Sequence, residues 1–319
     1  LEDAGAAFQE VVNITPDDIE IVFKLAEIYA RLGKNKEASE NYLKVAKYCL
    51  DGRLFKKALI SYQKAAEMDP ANVDARQALG ELLAREGQEL EARKEFEAVA
   101  ETFIAQEQFD KAQAACQRAI QLKSIDAHHL LGDIFLRKGL FDEAKTELDK
   151  FLKIKAAVLP AQYKLGVVHL NRGSYDDALA VFGRILGRQP YHVEALERIA
   201  ETYQKKGATR DAVVQYLSLG QVYMTQKIVD RAEAAIRRAL ALEADHVDGH
   251  KRLAELFEMR GMRREAAQEY LAALQAARAQ SLPAEGSTCE ERVRAIDPSL
   301  LDGPAPRPSS APSAPVAPA

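Results

Sequence analysis

The stretch "YKLGVVHLNRGSYDDALAVFGRILGRQP", residues 163 to 190, reads as two helices joined by a tight turn. In its second half Ala178, Phe182 and Ile185 stand four and three residues apart, the spacing of one face of an α-helix. Leu165, Gly166 and His169 give the first half its own stripe. Gly173 lies between the halves, where a helix C-terminus needs a residue that tolerates the left-handed conformation. Pro190, twelve residues after Ala178, stops the second helix.

The same pattern runs outward in both directions. Ala4, Ala38, Ala58, Ala92, Ala112, Ala144, Ala178, Ala212, Ala232 and Ala266 follow one another at steps of 34, 20, 34, 20, 32, 34, 34, 20 and 34 residues. Four residues after each alanine comes a large side chain, such as Tyr42, Phe96, Leu148 and Tyr270, with Cys116 the one small exception. Three further on comes another apolar residue, such as Val45, Val99, Phe151 and Ala273. Gly33, Gly87, Gly139, Gly173, Gly207 and Gly261 each precede a repeat alanine by five. A small residue recurs twelve before it, including Ala46, Gly80, Gly132 and Gly220, and is expected to let two helices approach closely.

With these residues the chain resembles the tetratricopeptide repeat family, whose unit of about 34 residues carries Leu-Gly, Tyr, Gly, Ala, Phe, Ala and Pro in this order. His169 stands where that family prefers tyrosine. The resemblance implies an all-α solenoid, a right-handed superhelix of helical hairpins, over residues 1–280. The opening "AGAAFQEVVNITP" reads as the second helix of a repeat whose first helix is absent, and with Leu1 in place of Met it suggests a fragment.

The 20-residue steps depart from the family pattern. In "NYLKVAKYCLDGRLFKKA", "EFEAVAETFIAQEQFDKA" and "QYLSLGQVYMTQKIVDRA" the helix after one alanine also carries the stripe of a first helix, as in Val45, Ala46 and Cys49. One helix is expected to serve two hairpins in each. The array then holds an opening half repeat, six full repeats and three shared helices, sixteen helices in all. Residues 281–319 hold seven of the twelve prolines between Pro298 and the end, and are expected to form a flexible Pro/Ala-rich tail. Within it Thr288 and Glu291 have capping-box spacing, leaving a short helix as the alternative.

Composition narrows the function. The 44 Lys and Arg against 48 Asp and Glu give a net charge of −4, too balanced for a nucleic-acid binder. No run approaches the roughly 18 apolar residues of a membrane span. Cys49, Cys116 and Cys289 are too few and too scattered for a disulfide framework, which points to a reducing, cytoplasmic setting. Glycine-rich phosphate loops, paired cysteines, His-Glu-x-x-His and a nucleophile elbow are all missing, so neither cofactor, metal nor catalysis is expected.

What remains is surface. In the resembled family, ligands lie against first-helix positions that alternate with the core stripe. Here these include Glu20, Phe23 and Glu27 in the first full repeat, Gln77 and Glu81 in the next, then His129 and Asp133. Tyr163, Val167 and Leu170 put three apolar side chains on a face expected to be wet, the usual look of a hot spot. Glu194, Glu197, Glu201, Asp248, Glu255 and Glu258 outnumber Lys205 and Lys251, which suggests an acidic wall drawing a basic, hydrophobic partner segment. The lysine and asparagine with which some family members grip a chaperone carboxylate are replaced by Phe23, Glu27, Gln77 and Glu81. The sequence therefore reads as a noncatalytic interaction scaffold, and the analogy with alanine-rich arrays of the resembled family that carry a Pro-Ala tail implies a bacterial cell-surface, secretion, pilus or motility assembly as its setting. The alternative is a targeting arm of a larger enzyme. Self-association through the raw face of Phe8 and Val11 is a further expectation.

Overall fold

The computed structural model describes residues 2–301, which fall into two compact units divided between Arg172 and Gly173. The first holds α1 (Glu2–Ile14), α2 (Ile19–Arg31), α3 (Asn35–Asp51), α4 (Phe55–Met68), α5 (Val73–Arg85), α6 (Glu89–Ala105), α7 (Phe109–Gln121), α8 (Asp126–Arg137), α9 (Phe141–Ile154) and α10 (Leu159–Asn171). The second holds α11 (Tyr175–Arg188), α12 (Val193–Lys206), α13 (Thr209–Thr225), α14 (Val229–Leu242), α15 (Val247–Met259), α16 (Arg263–Ala279), α17 (Pro283–Ile296) and a short 3-10 helix, Pro298–Leu300. Among the described residues there is no strand, and no helix is long and apolar enough to cross a membrane.

Turn chemistry sets the helix ends. The six turn glycines take φ between 73° and 79°, the left-handed region in which the backbone N–H groups just past a helix fold back onto its last carbonyls. At Gly33, for instance, Lys34 N–H reaches the Tyr29 carbonyl at 2.9 Å. Arg53, Glu107, Lys227 and Ser281 take the same conformation without being glycine, at φ of 57° to 60°. The first three lie five residues before Ala58, Ala112 and Ala232, so every 20-residue step turns on a side chain that pays the Cβ penalty.

Close approach explains the small residues. A methyl group added at Gly80 would lie 3.1 Å from the Phe96 ring, at Gly132 2.6 Å from Leu148, and at Gly220 2.7 Å from Ile236. The gap is filled by the large residue four after the repeat alanine, and the alanine itself is fully buried beside it. At Gly132 and Gly220 even a methyl group would force the neighbour to move, and at Gly80 it would be tight against the ring, which is why these positions hold the smallest residue.

The helices of the 20-residue steps, α3, α6 and α13, are single uninterrupted elements of 17 residues. On α3 the buried set Ala38, Ser39, Tyr42, Val45, Ala46 and Cys49 spreads past a single stripe, because α2 packs on one side and α4 on the other. Ser39 is satisfied within this packing: its hydroxyl donates to the Ala65 carbonyl at 2.8 Å and accepts from the Asn72 amide at 3.2 Å. Three-helix steps result, α2–α4, α5–α7 and α12–α14.

A fourth such step corrects the expected tail. Residues 281–301, read from sequence as the start of a flexible segment, instead carry α17 and the 3-10 helix, packed on α16. α16 is itself 17 residues long, and Gly286 stands 20 after Ala266, in the alanine's register. Gly286, Cys289 and Val293 are buried against Leu274 and Ala277, and Leu300 and Leu301 close over the end. The remainder of the expected tail, residues 302–319, lies outside the described residues.

Candidate functional site

Each three-helix step builds the same layer from three residues, which recur 54 positions on within each pair of adjoining steps and 120 positions on from the second step to the third. An acid on the first helix, an aromatic ring on the second and a cation on the third come together as Glu27, Tyr42 and Lys64; Glu81, Phe96 and Arg118; Glu201, Tyr216 and Arg238; and Glu255, Tyr270 and Arg292. The cation lies over the ring at 5.2, 5.6, 6.0 and 5.3 Å from its centroid. In the first two steps it also pairs with the acid: Lys64 at 3.3 Å from Glu27, and Arg118 bidentate on Glu81. Arg292 instead pairs with Glu258, and Glu201 is held elsewhere. The layer lets the third helix lie beside the first across the second, and leaves a groove between the first and third.

A second recurrent contact ties the first helix to the second, 19 residues on. Arg76 meets Glu95 at 2.7 Å, His128 meets Glu147 at 2.5 Å, and His250 meets Glu269 at 2.7 Å. Burial pushes the His250 pKa down, but its Nδ1 faces Glu269 and its Nε2 the Ala244 carbonyl, and these two acceptors carry it above the ordinary histidine value. Glu147 is lowered on balance: burial raises it, and the hydrogen bonds from Lys150 and His128 outweigh that.

The sequence-derived contact residues divide into several environments. Tyr163 and Val167 on α10 are half-buried. Leu170, expected on the wet face, is only 3% exposed. α10 buries Ala161, Leu165, Gly166, Val168, His169 and Leu170, a set that wraps more than one face, as a helix apolar all round does. His129, expected as a groove contact, is half-buried. It stacks on Phe151 at 5.1 Å with its Nε2 buried and unpartnered, and burial, aided by Lys164, lowers its pKa. Asp133 is held by Lys164 at 2.9 Å and Arg137 at 3.0 Å.

In the second unit the acidic positions are partly neutralised. Burial raises the Glu201 pKa, but Lys205 at 2.9 Å and Arg198 at 2.6 Å outweigh it and hold the carboxyl below its usual range. Glu197 accepts a hydrogen bond from the Tyr223 hydroxyl. Asp248 pairs with Arg252 at 2.8 Å. Glu194 stays mostly open, 3.2 Å from His192, and Glu255 is exposed beside the half-buried Lys251. Arg198 and Arg252, outside the positions expected from sequence, reach Glu201 and Asp248 from three and four residues away on the same helix.

None of the thiols offers chemistry. Cys49, Cys116 and Cys289 are free and buried, and burial pushes Cys116 up to about 12, far from a reactive thiolate. Among the described residues no group of His, Cys, Asp and Glu could hold a metal ion.

Family comparison places this geometry. Signatures described as tetratricopeptide repeat match residues 19–51, 61–94, 125–157 and 163–219. The chain carries tetratricopeptide repeats. These matches fall on α2–α3, α8–α9 and the segment opened by Tyr163, and the stretch 61–94 runs from α4 through α5 to the start of α6, across the junction of two three-helix steps. No curated protein sequence matches the chain. Similar solved structures include "Crystal structure of MamA protein", at 19% identity and a TM-score of 0.39, covering 59% of this chain and 93% of that one. Human IFIT1 dimer with PPP-AAAA aligns at 20% identity and a TM-score of 0.48, covering 86% and 68%. The P58(IPK) TPR domain aligns at 17% identity and a TM-score of 0.29, covering 88% and 99%.

Proposed function

We propose that this tetratricopeptide array is a noncatalytic scaffold that holds partner proteins on the exposed faces of its first helices. The supporting observation is that these faces keep accessible side chains after the repeats have packed: Tyr163 and Val167 on α10, and Glu194 and Glu255 on α12 and α15. The α10 face suits an apolar anchor. The faces of α12 and α15 suit basic groups, with Glu194, Glu197 and Glu255 carrying more of the attraction than the doubly paired Glu201. Asp133 in the first unit, and separately Glu201 and Lys251 in the second, would serve their own faces as hydrogen-bonding rim.

The buried free thiols fit a reducing compartment, and we place the protein in the cytoplasm. The alanine-rich repeats support a bacterial cell-surface, secretion, pilus or motility assembly as its setting. Affinity capture with the full chain as bait, repeated with Tyr163→Glu and Val167→Glu and with Glu194→Lys and Glu255→Lys, tests the faces separately. Partners retained by both variants would place binding elsewhere.

A further inference from the structure

The groove between the first and third helices occurs in successive steps, so the chain supplies its own comparison. In α5–α7 it is small, about 190 Å³, and lined by Gln77, Phe96, Val99, Phe103, Lys111 and Ala114 among others. In α2–α4 it opens to about 460 Å³. The floor accounts for part of the difference, since Cys49 stands where α5–α7 has the larger Phe103, and the walls differ at two positions. Phe23 stands on the first helix where the other steps have Gln77, Glu197 and Lys251, and Ile60 stands on the third where they have Ala114, Ala234 and Thr288. Ile60 is 51% exposed although nothing in the packing of α4 requires a large apolar residue to face water there.

Phe23 is held open rather than buried. Its ring meets Tyr42 edge-on at 5.6 Å, and the Lys64 ammonium lies 4.5 Å from its centroid. Val45 and Cys49 form the floor, both buried. The groove thus has an aromatic wall, an aliphatic wall and a closed end where Lys64 pairs with Glu27.

Charge selects the occupant. Residues 19–68 carry ten Lys and Arg against six Asp and Glu, whereas the equivalent residues 73–122 carry six against ten. At the groove itself Glu27 is engaged by Lys64, which leaves Lys24 and Lys57 on the two rims facing a single open acid, Glu20.

We propose that the α2–α4 groove is the docking site for an acidic amphipathic segment of a partner protein, which seats a bulky apolar side chain between Phe23 and Ile60 and directs carboxylates to Lys24 and Lys57. The segment is opposite in charge to the basic ligand proposed for the second unit. The two sites are therefore independent, and either can fail without the other.

The test uses the full chain and a labelled short peptide with a central Phe-Leu pair between glutamates, followed by fluorescence anisotropy. Saturable binding is expected, weakening with salt. The double variant Phe23→Gln with Ile60→Ala installs the residues that α5–α7 folds with, so its circular dichroism should be unchanged, and it should lose roughly thirtyfold in affinity as for a hot spot. Lys57→Glu should lose about tenfold and flatten the salt dependence. Glu194→Lys with Glu255→Lys should leave peptide binding intact.

Equal binding by a lysine-flanked peptide, no binding by either peptide, or full binding by the folded double variant would each overturn the proposal. Sedimentation showing a dimer that the double variant abolishes would assign the groove to a second copy of this chain and overturn it as well.

Discussion

Replacing Gly132 by alanine sets two effects of known sign against each other. An alanine in a helix interior is favoured over glycine by about 1 kcal/mol. The added methyl would sit 2.6 Å from Leu148 Cγ and 2.8 Å from Cδ2, about an ångström inside the usual carbon–carbon contact. Leu148 is fully buried and cannot swing away. Overpacking of this kind costs roughly 1–3 kcal/mol, so the net expectation is a loss of about 1 kcal/mol.

The contact can be isolated. Gly183 on α11 has no heavy atom within 4 Å of its ideal Cβ, and Gly183→Ala should stabilise by the full propensity gain of about 1 kcal/mol. Leu148→Ala alone should cost about 2–5 kcal/mol, and in that background Gly132→Ala should change sign and become stabilising. Gly80→Ala, with 3.1 Å to the Phe96 ring, should fall between the two glycines. Urea unfolding by far-UV circular dichroism gives the midpoints, and hydrogen exchange places the loss in α8 and α9. If Gly132→Ala stabilised as much as Gly183→Ala, the close approach of these helices would be refuted.

The other expectations use different levers. Ser281→Gly and Lys227→Gly should raise the unfolding midpoint by relieving left-handed side chains, by at most about 1 kcal/mol, while Gly87→Ala at φ 76° should lower it by at least as much; matching shifts of one sign in calorimetry would sink the turn assignment. Leu170→Ala should cost about 2–5 kcal/mol in urea unfolding and Val167→Ala clearly less, since only the former is buried. In an NMR pH titration the His250 ring should titrate above the ordinary 6.5 and His129 below it. His250 therefore contributes stability that is complete below that value and lost as pH rises through its folded pKa; His129, held neutral, removes stability as pH falls below 6.5. The reverse order of the two midpoints would contradict the assigned hydrogen bonds.

Much of the helix pattern is visible in the sequence because its causes are local. A left-handed turn asks for Gly139 and a close crossing asks for Gly132, and both leave a fixed spacing to Ala144. The last step carries no such mark in the sequence, since Gly286 replaces the alanine and Glu290 takes the place of the large residue. Burial was harder to read. Nothing in the spacing of Tyr163, Val167 and Leu170 tells that the last of them is covered, because cover is supplied by residues distant in sequence. Phe23 was among the positions read as groove-facing, but Ile60 was not. Its role depends on the third helix of the step lying beside the first, which is a consequence of packing and not of period.

The shared helices also decide where the chain can be cut and rejoined. A splice at 34-residue intervals, natural for a plain hairpin array, would sever α3 from α4 or α16 from α17 and strip half of the shared helix's buried face. The transferable cassette is 54 residues, from one first-helix entry to the next, as from Ile19 to Val73 or from Val193 to Val247. Lengthening or shortening the runs of three-helix steps by duplication would proceed in that larger increment, each copy bringing its own acid, ring and cation and its own groove to be remodelled for a new ligand.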